Sequence, residues 1–120
     1  MCTLGITTTN YPGFYNNNED KQWTIEAPDG QIITFEFSDF SIEMHPNCLW
    51  DWVQVIDGNG QELLNKSCGD EKPENFFSKT NKATVKFHSD SSTRKKGFSL
   101  QYSFQTPSDF GGKLTTEGNL

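Results

Sequence analysis

Apolar and polar side chains alternate with a period of two along most of this chain. Ile33, Phe35 and Phe37 alternate with Thr34, Glu36 and Ser38, and Ala83, Val85 and Phe87 alternate with Thr84, Lys86 and His88. Phe98, Leu100, Tyr102 and Phe104 alternate with Ser99, Gln101 and Ser103, while Trp23, Ile25 and Ala27 form a shorter run closed by Pro28-Asp29-Gly30. Successive side chains of a strand point to opposite faces, so each run predicts a strand with one buried face. Val53, Val55 and Ile56 follow Asp51 and end in Asp57-Gly58-Asn59-Gly60, which predicts a strand running into a hairpin turn. Further turn signals stand at Tyr11-Pro12-Gly13 and Cys68-Gly69-Asp70. No window carries the stripe of an amphipathic helix. Short strands divided by such turns predict an all-β fold, an antiparallel β-sandwich of two sheets. The alternation defines one domain over residues 1–105, and residues 106–120, which lose the alternation and gain Gly and Thr, read as a linker or frayed C-terminal tail.

Composition adds bounds. A chain of 120 residues suits a single core. Only 32% of it is hydrophobic, but ten Phe, three Trp and three Tyr are included, and each such ring buries roughly 150–250 Å². The net charge of -6 argues against a nucleic-acid partner, which needs a basic face, and suits a basic partner or a cation. No segment is long and apolar enough for a membrane span. Residues 1–10 have neither the basic nor the apolar region of a secretory leader, so no signal peptide is expected within them. Cys48 and Cys68 flank a strand-and-return segment and could bridge, closing a loop of about twenty residues for roughly 3 kcal/mol. The alternative is three reduced thiols in a cytosolic protein. Asn65-Lys66-Ser67 is a glycosylation sequon if the protein is secreted.

Catalytic signatures are scarce: the chain has no HExxH, no GxSxG and no phosphate-cradling glycine loop. His45 and His88 are far apart and are expected at the surface, as is the basic run Arg94-Lys95-Lys96. Three acids stand at strand ends instead of on strand faces: Glu43, Asp51 and Asp90. Asp51 lies between Trp50 and Trp52, both expected to be buried, and a charge so placed is costly unless compensated. On residue type alone the three acids read as separate solvated loop charges. Were they to converge, their repulsion would raise their pKa values or splay the loops unless a cation intervened. Calcium suits such a place, because it takes six to eight oxygen ligands from carboxylates, carbonyls and water.

Taken in chain order from Gly5 to Phe104, these pieces resemble a CUB domain, an extracellular binding module. The carriers of the resemblance are ITTTNYPGFYNN, WTIEAPDG, ITFEFSDFSIE, NCLWDWVQVIDG, CGD, VKFHSDSS and GFSLQY, with tryptophans where the fourth motif has tyrosines. The resemblance implies a jelly-roll-like sandwich and a disulfide between Cys48 and Cys68. Lys21 occupies the place where the family's other disulfide usually ends, which leaves Cys2 without a partner. In the calcium-binding subgroup, the acids matching Glu43, Asp51 and Asp90 hold Ca2+. A backbone carbonyl in the loop matching Ser92 assists, and the tyrosine matching Tyr15 hydrogen-bonds the acids. The implied function is non-catalytic: an extracellular, calcium-dependent module that captures a Lys or Arg side chain of a protein partner. Its contacts are expected at Tyr15, Glu43, Asp51, Met44 and His45, within a larger multidomain protein. One alternative is a carbohydrate-binding relative of the spermadhesin type using Trp50 or Trp52. Another is an accessory domain of a secreted metalloprotease or receptor. Glu43 and Asp51 as the acid/base pair of a glycoside hydrolase is disfavoured, since a calcium ion would hold both ionised.

Overall fold

The computed structural model describes residues 4–107; Cys2 and residues 108–120 of the expected tail lie outside the described residues. Eight strands succeed one another: β1 (Leu4–Thr7), β2 (Asp20–Glu26), β3 (Ile32–Ser41), β4 (Trp52–Asp57), β5 (Glu62–Ser67), β6 (Phe76–Phe77), β7 (Lys82–His88) and β8 (Gly97–Gln105). They form two four-stranded sheets, β1-β8-β3-β6 and β2-β7-β4-β5. Every pairing is antiparallel, as the alternation predicts.

The inner faces are those that the period of two selects. Ile33, Phe35 and Phe37 of β3, Val53 and Val55 of β4, and Ala83, Val85 and Phe87 of β7 are all buried. Phe98 packs edge-on against Phe37 of its own sheet, with centroids 5.8 Å apart, and against Phe87 of the other, with centroids 5.9 Å apart. Edge-to-face geometry sets the positive rim of one ring against the negative face of the next. The alternation weakens toward the end of β8, where Tyr102 and Phe104 are only half-buried.

Two local features shape the end of the sandwich where β3 gives way to β4. The register of β3 on β8 shifts between Phe37 and Asp39, two β3 residues facing one step of β8. That extra residue inverts the parity of the strand, so that Phe40 and Ile42, not the odd positions, turn inward. Cys48 and Cys68 are joined in a disulfide with their Cα atoms 5.5 Å apart, as the family resemblance implied. Beside it, Ile42 and Gly69 exchange backbone hydrogen bonds of 2.9 and 2.8 Å. The segment between β3 and β4 is thereby tied to the end of β5.

Asp57 is more than the turn residue its sequence suggests. Its carboxylate is buried and accepts hydrogen bonds from the amides of Gly58 (2.7 Å), Lys79 (2.8 Å) and Thr80 (3.3 Å) and from the Thr80 hydroxyl (2.6 Å). The β4–β5 hairpin is anchored there to the loop before β7.

Candidate metal centre between the two sheets

Glu43 succeeds the inward-turned Ile42, beyond the end of β3. Asp51 immediately precedes β4, and Asp90 lies two residues past β7. In the β4–β7 ladder Trp52 pairs with His88, which brings the start of one strand beside the end of the other. One carboxylate oxygen from each of Glu43, Asp51 and Asp90 lies within 4.8 Å of the others. Glu43 flanks a strand of one sheet, Asp51 and Asp90 strands of its partner.

The local hydrogen bonds aim these groups. The Tyr15 hydroxyl donates to Asp51 Oδ2 at 2.6 Å and accepts from the Glu43 amide at 3.2 Å. The Asp90 amide donates to Asp51 Oδ1 at 2.8 Å, and the Ser92 amide to Asp90 Oδ1 at 3.2 Å. Asp51 is wholly buried, Glu43 is 8% exposed and Asp90 is half-buried. Glu43 Oε1 is buried with no hydrogen-bond partner. Burial, then the charges of Asp51 and Asp90, push the Glu43 carboxyl up to about 7, although a hydrogen bond with the Thr93 side chain pulls the other way. Burial also raises Asp51, against the lowering effect of its donors Tyr15 and the Asp90 amide. The Tyr15 hydroxyl is raised too, by burial and then by its bond to Asp51.

Three carboxylates so close, one with an orphaned oxygen, fit a divalent cation. The donors are all oxygen, which favours a hard ion such as calcium over zinc. Glu43, Asp51 and Asp90 are the residues able to hold it.

The remaining residues expected at the site are placed less uniformly. Tyr15 has no exposed surface with which to touch a partner; its ring packs edge-on against Phe87 at 5.0 Å and its hydroxyl orients the acids. Met44 is 66% exposed. His45 lies half-buried at the surface and is engaged there: its Nδ1 accepts from the amides of Asn47 (3.0 Å) and Leu49 (3.3 Å), and its ring meets Trp50 at 4.5 Å. Ser92 is exposed beside Asp90, and Asn65 is exposed on the edge strand β5. The expected burial of both tryptophans is overturned for Trp50 and met only in part by Trp52, which is half-buried. Trp50 is 46% exposed because it stands in the loop before β4. Trp52 takes the outward parity that inward-facing Val53 imposes; it stacks on His88 at 5.5 Å, with Lys66 Nζ 4.5 Å from its ring. His88 is paired as well, its Nδ1 lying 2.7 Å from Asp20 Oδ1. In the basic run, Lys96 forms an ion pair of 3.0 Å with Asp39, so only part of that run is free in solvent. Sequence reasoning missed Thr93, which touches Glu43 from a left-handed backbone conformation (φ 61°) that nothing in the motif announces.

The fold is a two-sheet antiparallel sandwich with an acidic centre at one end. The CUB domain family model matches residues 3–102, and the chain belongs to that family. Cubilin of Sus scrofa is 38% identical over 114 residues, which is 93% of this chain and 3% of cubilin. The chain thus spans a small fraction of that relative. The full extracellular region of zebrafish Gpr126/Adgrg6 contains a similar fold, with a TM-score of 0.80 and 33% identity over 87% of this chain and 14% of that one. The MASP-1 CUB2 domain bound to Ca2+ superposes with a TM-score of 0.77 and 30% identity, over 83% of this chain and 90% of that domain. CUB domains are generally non-catalytic accessory modules, and the chain is an extracellular one.

Proposed function

We propose that this chain is a calcium-dependent protein-binding module that captures a Lys or Arg side chain of its partner at the acidic centre. The carrying observation is the convergence of Glu43, Asp51 and Asp90 within 4.8 Å, with Glu43 Oε1 buried and unpartnered. The Ca2+ in the similar MASP-1 CUB2 domain supports the calcium part of this reading. Glu43, Asp51 and Asp90 supply carboxylates, a backbone carbonyl near Ser92 supplements them, and Tyr15 holds Asp51 in position.

A bound calcium ion supplies two positive charges against three negative ones and orders the loops that carry them. The residual negative charge attracts a cation, and Glu43 accepts its charge-assisted hydrogen bonds, while the wholly buried Asp51 contributes charge and not the contact once expected of it. Met44 and His45 flank that contact. A single contact of this kind is modest, so affinity grows when sister modules in a longer protein act together. Asn65, exposed on an edge strand, is a glycan acceptor in such a secreted protein.

The test is a calorimetric titration of the domain with Ca2+, then with a lysine-rich ligand. Asp51→Ala is expected to abolish the calcium heat and weaken ligand binding at least tenfold, with the sandwich still folded by circular dichroism. Unchanged calcium heats in that variant would sink the assignment.

A further inference from the structure

Six large hydrophobic residues are exposed among the described residues, and three of them, Met44 (66%), Leu49 (61%) and Trp50 (46%), fall in the short loop between β3 and β4. Met44 is the residue after Glu43 and Trp50 the residue before Asp51, so their Cα atoms stand about 3.8 Å from those of two acids of the centre. The loop has the means to be ordered. Its Cys48 is bonded to Cys68, the Cys48 amide donates to the His45 carbonyl at 2.9 Å, and His45 Nδ1 accepts from two further loop amides. The His45 ring also braces Trp50. A loop fixed in this way with its apolar side chains outward presents surface that a partner covers.

We infer that this loop is an apolar collar on the acidic centre, and that the partner carries its Lys or Arg in a protein segment flanked by apolar side chains. This rests on the function proposed above and names the chemistry of its partner. Burying the collar removes apolar area from water and, by excluding solvent around the acids, strengthens their attraction for the enclosed cation. A lipid surface is the less suitable occupant. The loop, MHPNCLW, has no Lys or Arg to meet anionic headgroups, and the chain carries a net charge of -6.

The experiment is a peptide array with a central lysine flanked by Leu, Ile or Phe, or by Ser and Gly, probed with the calcium-loaded domain. Phosphatidylserine-containing vesicles form a second arm. Apolar-flanked peptides are expected to bind about tenfold more tightly than polar-flanked ones. Leu49→Ser and, separately, Trp50→Ser are expected to remove that preference while leaving the calcium titration unchanged. Leu4→Ser, an exposed apolar site on β1, serves as control and keeps the preference. Equal binding to both peptide classes, with lysine dependence intact, overturns the collar and leaves the proposed function standing. Absence of any lysine-dependent binding overturns both, and calcium-dependent binding to vesicles but not to peptides assigns the collar to membranes instead.

Discussion

Asp51 is a carboxylate with no exposed surface, and its burial is offset only in part by the Tyr15 hydroxyl and the Asp90 amide. Its neighbour Glu43 has an oxygen that nothing offsets. The consequence is a proton: metal-free, Glu43 titrates at about 7, against an ordinary 4.5. With the folded value above the unfolded one, the metal-free folded state binds more protons across that window. Its contribution to stability is complete below about 4.5 and lost as pH rises through 7. Melting of the chelated domain between pH 5 and pH 8 is expected to reveal this loss, and Glu43→Gln to flatten it. Calcium must displace the same proton, so its apparent affinity is expected to fall about fivefold from pH 7 to pH 6, measured by calorimetry. The acids themselves were legible from their places at strand ends. The burial of Tyr15 and the contact of Thr93 were not, because both depend on loops folding against residues far away in the chain.

At the scale of elements, the centre depends on a shift in β3. Without the extra residue between Phe37 and Asp39, the strand would keep odd residues inward and carry Glu43 into the core in place of Ile42. The period of two identified β3, β7, β8, β2 and β4, each long enough to display a face. It left β1, β5 and β6 unread. β6 has two residues, β1 has four, and β5 is an edge strand whose pairing with β4 shifts register twice, so none shows a sustained alternation. Asp57 illustrates what an element's end can hide. As the acceptor of four hydrogen bonds, three of which join the β4–β5 hairpin to the loop before β7, it has no apolar substitute. Asp57→Ala is expected to cost about 2–4 kcal/mol in urea unfolding, since it strands buried donors. Calcium titration of that variant is expected to be unchanged at temperatures where it is folded.

For the whole molecule, the two sheets are held mainly by the hydrophobic core, aliphatic and aromatic, and the acidic centre adds a second junction because its carboxylates flank strands of both sheets. Without a cation that junction repels. With one, it links the end of β3 to the ends of β4 and β7. Thermal unfolding is therefore expected to remain a single transition whose midpoint rises with calcium. The gain is about 2.7 kcal/mol when free calcium is a hundredfold above its dissociation constant. Addition of chelator is expected to reverse the rise. The amino-acid sequence by itself determined the faces of the longer strands, the turns between them and the identity of the three acids, because alternation and turn chemistry are local properties of a few residues. The family resemblance implied that Glu43, Asp51 and Asp90 meet, which no local pattern showed; only the tertiary structure decided how they do so, that Trp50 and its loop stay outside, and that the Glu43 carboxyl is raised to about 7. Those outcomes depend on strand register, one bulge and the distances between charges far apart in the chain, and no short window of sequence contains them.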